Sequence, residues 1–190
     1  MSDHNLNFEV LKAINDILRQ NRKDPELSHE KLTVYISQLL AKGAGVSRSF
    51  ILQHTIDALG LLGRFDEAEV LLKELLALDV NSVESLICAS TFYRMHKRDA
   101  MKAVEMAEAA VGVALAAGNS VVHSYEELCR AAKDASNYEL LERSLDKAID
   151  YKVGELSRDI MLADDLLDDV PKGMINAQLI ERYQSWVSPD

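Results

Sequence analysis

Residues 64–79 read RFDEAEVLLKELLALD. Within this stretch, Ala68 is followed four positions later by Leu72 and three positions after that by Leu75. A spacing of four and three places side chains on one face of an α-helix. The stretch therefore predicts a helix that presents one small and two large apolar side chains to a neighbouring helix.

A second apolar pattern lies upstream and predicts the partner of this helix. It carries four apolar or small residues at helical spacing: Leu52, Thr55, Ile56 and Leu59. Ser47 is suited to cap the start of this upstream helix, and Gly63 is suited to close it in the left-handed conformation. Residues 49–82 are thus predicted to form one antiparallel helical hairpin.

The same two-helix pattern recurs twice further along the chain. The first-helix positions recur as Leu86, Ala89, Ser90 and Tyr93, and then as Tyr125, Leu128, Cys129 and Ala132. The second-helix positions recur as Ala103, Ala107 and Ala110, and then as Leu141, Leu145 and Ala148. Because self-similarity at a period of about 34 residues is typical of helical repeat proteins, three repeats are predicted over residues 49–153.

These residues resemble the second and first helices of the tetratricopeptide repeat (TPR) family. The chain departs from the family pattern where Leu52 stands for Trp, Ile56 for Gly and Val80 for the terminal Pro. The resemblance implies an all-α fold, a TPR-like α-solenoid or α–α superhelix of about five antiparallel helical hairpins, in which each hairpin covers the apolar face of the next. A helical-hairpin solenoid of another family is the alternative.

The flanking segments complete the predicted single domain, residues 1–190. Residues 5–46 and 154–188 each hold two helices of suitable length but lack the small-residue signature of the repeat. We interpret the first as a degenerate N-terminal hairpin and the second as a C-terminal capping hairpin, since terminal repeats are atypical. Gly154 and Pro171 mark the breaks in the last segment, and about ten helices are expected along the whole chain.

The composition favours helices throughout. Apolar residues make up 48% of the chain and charged residues 27%, which is typical of folded globular domains. The positions of the three prolines leave residues 26–170 without a residue that must break a helix. Residues that cap helices then divide the pattern, and Asn81 and Glu84 have the spacing of a capping box at the start of a helix at about 82–96.

Net charge and the lengths of apolar runs predict the class of partner and the cellular compartment. A net charge of −10 repels phosphate backbones, so nucleic acid is not expected as a partner. The longest apolar stretch, residues 109–117, is about half a membrane span, and no basic start with a long apolar core opens the chain. Cys88 and Cys129 have neither disulfide nor zinc-site spacing. We expect a cytoplasmic protein that contacts no membrane and keeps both cysteines in its core.

The sequence favours a noncatalytic protein. Residues 164–169 read DDLLDD, which contains the Asp-Asp-x-x-Asp pattern that isoprenoid synthases use to hold magnesium, and on a helix its carboxylates would share one face. Those enzymes are much longer helical bundles with a second aspartate-rich segment, and a chain of 190 residues with a helical repeat supplies neither. We therefore interpret this run as a solvated acidic face or a contact for a basic partner. No catalytic residue, metal or cofactor is expected, and a small metal-dependent enzyme using residues 164–169 is the remote alternative.

Stacked first helices of the TPR family line a concave groove that holds peptides. The candidate groove residues are those beside the core positions on each first helix: Phe50, Gln53 and Asp57; Glu84, Ile87, Thr91 and Arg94; His123, Glu126, Arg130 and Lys133. Phe50 and Ile87 would be apolar anchors, and Arg94, Arg130 and Lys133 predict a local basic patch. The competing interpretation is that all of them are ordinary exposed residues.

The resemblance implies a noncatalytic protein–protein interaction module. Such an adaptor, scaffold or chaperone-like protein would bind a peptide or a partner protein in the concave groove. The alternative is a self-associating structural subunit, in which case the protein is a homo-oligomer.

Overall fold

The computed structural model describes residues 3–42, 45–154 and 162–187. Within these ranges the chain forms nine α-helices and no strand, which confirms the predicted all-α class. The chain divides into two compact units, Met1–Val80 and Asn81–Asp190. None of the described helices combines the length and the apolar run that a membrane crossing requires.

The first unit contains four helices: α1 (Asp3–Gln20), α2 (Pro25–Lys42), α3 (Arg48–Leu61) and α4 (Phe65–Leu78). Both predicted boundary residues of α3 are confirmed. The Ser47 hydroxyl accepts a hydrogen bond from the Phe50 N–H at 3.1 Å, and Gly63 follows the helix with a φ of 74°. Helix α3 packs against α4, α1 and α2, so it is the centre of this unit.

The second unit contains five helices within its described residues: α5 (Val83–Phe92), α6 (Ala100–Ala117), α7 (Val121–Asp134), α8 (Tyr138–Gly154) and α9 (Ala177–Val187). A π-helical turn, Tyr93–Lys97, continues α5. Each helix from α5 to α8 packs against the next one along the chain, and α5 also packs against α7. Helices α5 to α8 therefore pack in chain order, with short connections between consecutive helices.

The start of α5 differs from the predicted capping box. Ser82, not Asn81, is the N-cap, because its hydroxyl accepts a hydrogen bond from the Ser85 N–H at 3.1 Å. The Glu84 carboxylate in turn accepts a hydrogen bond from the Ser82 hydroxyl at 3.3 Å. Ser82 directly precedes the first helical residue, so its side chain is the one that reaches the free N–H groups of the first turn.

The core includes nearly all of the residues that define the repeat pattern. The nine second-helix positions all have an exposed fraction of 0%: Ala68, Leu72, Leu75, Ala103, Ala107, Ala110, Leu141, Leu145 and Ala148. Of the twelve first-helix positions, eleven are buried, and Tyr125 is half-buried with its ring stacked on that of Tyr151. The spacing in the sequence thus identifies the buried face of each helix correctly.

The C-terminal segment differs from the predicted two-helix capping hairpin. Residues 162–170, here called the aspartate turn, form turns where a helix was expected, and α9 is the helix that follows. Residues 155–161 and 188–190 of the predicted hairpin lie outside the described residues. A side chain of α9 forms hydrogen bonds with main-chain groups that a helix would use for its own hydrogen bonds. The Tyr183 hydroxyl donates to the Ala163 carbonyl at 2.5 Å and accepts from the Leu166 N–H at 3.3 Å.

Candidate binding surfaces

Arg94, the first residue of the predicted basic patch, lies against α7. Its Nε donates to Oε1 of Glu127 at 3.3 Å, and its Nη1 lies 3.6 Å from a carboxylate oxygen of Asp134. Glu127 also accepts a hydrogen bond from the Ser90 hydroxyl at 2.9 Å. The guanidinium is mostly buried, so Arg94 connects the end of α5 to α7 and does not present a free charge.

Arg130 and Lys133, the other two residues of that patch, hold the aspartate turn. Arg130 donates from Nε and Nη2 to the two carboxylate oxygens of Asp165, at 3.1 and 2.9 Å. Lys133 donates from Nζ to the Asp165 main-chain carbonyl at 2.7 Å. The hydrogen bond from Arg130 lowers the pKa of the Asp165 carboxyl below its ordinary value, so this pair stays ionised at neutral pH.

The Glu126 side chain binds a main-chain group of the same turn. Its Oε1 accepts a hydrogen bond from the Ala163 N–H at 2.9 Å, and its Oε2 lies 3.5 Å from Nδ1 of the exposed His123. The hydrogen bond to Glu126 raises the pKa of His123 above its ordinary value. Glu126, Arg130 and Lys133 therefore lie on one face of α7, as predicted, but that face contacts the chain's own aspartate turn.

In the structure the predicted basic patch is therefore not an open surface. Its three cations, Arg94, Arg130 and Lys133, are at least half-buried and bind groups within the second unit. Local helical spacing indicates the face on which a side chain lies, but it does not reveal that a segment more than 30 residues later covers that face. Binding of a partner by these residues stays a prediction.

The remaining predicted groove residues have different surroundings. The Phe50 ring lies edge-on to the ring of His54, with centroids 4.3 Å apart, and Ile87 packs against a buried cluster of Val83, Ala114 and Val121. The other four vary in exposure, from exposed to half-buried: Glu84, Gln53, Asp57 and Thr91.

An apolar cleft in the first unit was not predicted. It has a volume of about 340 Å³ and lies between α2 and α4, with α3 as its floor. Its lining is Leu32, Thr33, Ile36 and Ser37 from α2, Thr55 and Leu59 from α3, and Glu67, Val70 and Leu71 from α4. The Thr55 hydroxyl donates its hydrogen bond to the Ile51 carbonyl at 2.7 Å, so this donor of the cleft floor is already in use.

Polar side-chain contacts tie α2 to the start of α4 beside this α2–α4 cleft. His29 Nε2 lies 2.8 Å from a Glu67 carboxylate oxygen, and Arg64 donates to Glu26 at 2.9 Å. Arg64 also lies 3.2 Å from His29 Nδ1. These contacts hold the early turns of the two helices together, while Val70, 64% exposed, leaves the cleft open to solvent. The sequence did contain one sign of this cleft: Val70 is an apolar residue of the repeat motif that does not lie on the buried face of its helix.

A larger cleft lies in the second unit, between α9 and the residues that precede it. Its volume is about 610 Å³, and its lining combines apolar side chains with two carboxylates. The lining residues are Asp164, Leu167, Asp168, Val170, Pro171, Lys172, Gly173, Ile175, Ile180, Tyr183, Gln184 and Val187. This C-terminal cleft is lined by four of the nine residues of the aspartate turn, so the acidic run borders a concave surface.

Catalytic chemistry would require converging metal ligands or an activated nucleophile. In the parts of the chain that the structure describes, no group of three or more His, Cys, Asp or Glu side chains converges as metal ligands would. Cys129 is fully buried, and burial raises the pKa of its thiol far above the ordinary value, so it is protonated and unreactive at neutral pH. A cofactor-free, noncatalytic protein stays a prediction.

Comparison of the chain with protein-family models, curated proteins and solved structures gave no match. The resemblance to the TPR family therefore rests on the chain's own repeat pattern.

Proposed function

We propose that this chain is a noncatalytic protein-binding module built from TPR-like helical hairpins, and that it binds its partner in the α2–α4 cleft. The proposal keeps the class of function that the repeat pattern implies. It replaces the first-helix groove as the binding surface, because the α7 face of that groove is covered by the aspartate turn.

The polar contacts between helices support the repeat architecture. Within the first unit, Arg64 and His29 are 35 residues apart in sequence. Within the second unit, the separation is 33 residues for Arg94 and Glu127 and 35 for Arg130 and Asp165. A stack of two-helix units brings together equivalent positions about one repeat apart, and the TPR period is about 34 residues. The complete burial of the nine second-helix positions agrees with the same arrangement.

The open apolar lining of the α2–α4 cleft is the observation that carries the proposed site. Leu32, Ile36 and Leu59 are buried beneath it, while Val70 is largely exposed at its edge. Helical partners are recognised in this way, with the apolar face of an amphipathic helix laid into an apolar groove between two helices. Exposed apolar surface of this kind marks protein interaction sites more often than catalytic ones, which need converging polar groups.

Matched valine substitutions test this function. Val70→Asp places a charge in the cleft, whereas Val80→Asp introduces the same charge at a residue that is 74% exposed and outside the cleft. Affinity capture from native extract should recover a defined protein with the wild-type chain and with Val80→Asp, and not with Val70→Asp. Equal melting temperatures of the two variants show that both are folded.

Three results would reject the proposal. A partner retained equally by all three proteins would locate binding elsewhere. Concentration-dependent self-association in sedimentation, abolished by Val70→Asp and unaccompanied by any other protein, would favour the self-associating structural subunit, with a second copy in the cleft. Metal-dependent turnover that persists in both variants would revive the remote enzymatic alternative.

A further inference from the structure

The C-terminal cleft has an apolar interior. Leu167, Val170, Ile175, Ile180 and Val187 contribute side chains to it from the turns and from α9. The volume of about 610 Å³ lies within the range of about 300–1,000 Å³ that is usual for ligand sites in proteins. An apolar cavity of this size, left open in the second unit, is suited to take up apolar side chains from outside.

Carboxylates stand at the edge of this cleft. Asp164 and Asp168 belong to its lining and are exposed, and Asp169 beside them is also exposed. Asp165 is different, because Arg130 binds its carboxylate on the α7 side of the aspartate turn. Lys172 is the cation in the cleft lining, so the lining combines two carboxylates with one ammonium group.

The wall that carries these carboxylates is fixed in place. Leu162 and Leu166 are buried, with exposed fractions of 2% and 0%. The Tyr183 hydroxyl binds the carbonyl of Ala163 and the N–H of Leu166, which joins the turn to α9. Because the turn is anchored on both sides of Asp164, the main chain that carries this carboxylate is held at the cleft edge before any ligand arrives, which reduces the ordering cost of binding.

We propose that the C-terminal cleft binds a segment of a partner protein that carries both apolar and basic side chains. The apolar side chains enter between Leu167, Ile180 and Val187, and a Lys or Arg of the partner pairs with Asp164 or Asp168. Charge complementarity selects this occupant, because the acidic edge and the net charge of −10 disfavour phosphate groups and acidic peptides. The site belongs to the second unit and does not depend on the function proposed for the α2–α4 cleft.

Three short synthetic peptides of equal length are the probes for this site. One is an amphipathic peptide of Leu and Lys, the second replaces every Lys with Glu, and the third replaces every Leu with Ser. Fluorescence anisotropy with the full chain should show saturable binding of the Leu–Lys peptide and at least tenfold weaker binding of the other two. Amide-resonance perturbations on adding the Leu–Lys peptide should centre on residues 164–187.

Variants of the chain test whether the Leu–Lys peptide binds in the C-terminal cleft, and they separate the contribution of the carboxylates from that of the cleft's shape. Asp164→Asn/Asp168→Asn should weaken binding of the Leu–Lys peptide at least tenfold, whereas Glu105→Gln/Glu139→Gln removes two exposed carboxylates outside the cleft and should leave it unchanged. Gln184→Trp fills the cleft from an exposed lining position and should also abolish binding, although every carboxylate remains. The melting temperature of each variant controls for folding.

The proposal is overturned by any of four results. The first is no saturable binding of the Leu–Lys peptide. The second is that the Ser–Lys peptide binds as tightly as the Leu–Lys peptide, which indicates nonspecific attraction to an acidic surface. The third is that Asp164→Asn/Asp168→Asn and Glu105→Gln/Glu139→Gln weaken binding equally. The fourth is self-association of the full chain that Gln184→Trp abolishes, which would assign the cleft to a second copy.

Discussion

Ala103, Ala107 and Ala110 bury their side chains completely because α6 packs against both α5 and α7. Small residues at spacings of four and three allow helices to approach closely, so the sequence reveals both the helix and its inward face. The partners of Arg130 are not visible in this way. Its carboxylate ligand, Asp165, lies 35 residues away, and only the folded chain brings the two together.

Adding volume at the buried alanines should destabilise the fold. Ala103→Leu or Ala110→Leu inserts methylene groups into packed space, which costs about 1–3 kcal/mol of unfolding free energy. Ala109→Leu is the matched control, because Ala109 lies on the same helix and is exposed. Urea denaturation measures the difference, and equal midpoints for the buried and exposed variants would contradict the packing described for α6.

The pair of Arg130 and Asp165 should contribute to stability, although the sequence alone placed Arg130 in an open basic patch. A double-mutant cycle with Arg130→Ala and Asp165→Ala should give a coupling energy of about 1–2 kcal/mol, since the pair is charged, bidentate and partly buried. The control cycle uses Arg19 and Asp16, an exposed pair on α1, for which a few tenths of a kcal/mol are expected. Equal coupling in the two cycles would show that the contact with the aspartate turn is marginal.

At the scale of elements, the helices of the repeat could be predicted and the aspartate turn could not. Each repeat helix carries its own periodic pattern and its own caps, such as Ser47 for α3. The aspartate turn also has helical spacing, but its main-chain groups bind side chains of α7 and α9, and competition of this kind depends on tertiary contacts. The α2–α4 cleft was missed for a similar reason, since its existence depends on the distance between two helices rather than on either sequence.

Tyr183 should determine how firmly the aspartate turn is held. Tyr183→Phe removes the hydroxyl that binds the Ala163 carbonyl and the Leu166 N–H, so amides of residues 162–170 should exchange with deuterium faster by at least about tenfold, the equivalent of 1.4 kcal/mol. Exchange in α3 and α4 should not change. Tyr151→Phe, at an exposed position on α8, is the control. Unchanged exchange in the turn after Tyr183→Phe would mean that burial of Leu162 and Leu166 alone holds it.

At the scale of the whole molecule, composition and helical spacing predicted the all-α class of the fold but not its binding surfaces. The chain is 48% apolar and carries few residues that break helices, and its described residues contain no other regular structure than helix. The net charge of −10 disfavours nucleic acid, yet it does not distinguish an apolar cleft from an acidic one. The two binding surfaces proposed, one in each unit, follow from which apolar side chains the packing leaves uncovered.

Site-specific photocrosslinking tests the proposed binding surface most directly. Ser37 and Gln38 are adjacent exposed residues on α2, but only Ser37 lines the α2–α4 cleft. With a benzophenone side chain at one position or the other, illumination in native extract should give a covalent adduct to one partner protein from position 37 and little from position 38. An adduct from position 38 alone, or adducts formed only with a second copy of this chain, would contradict partner binding in the cleft.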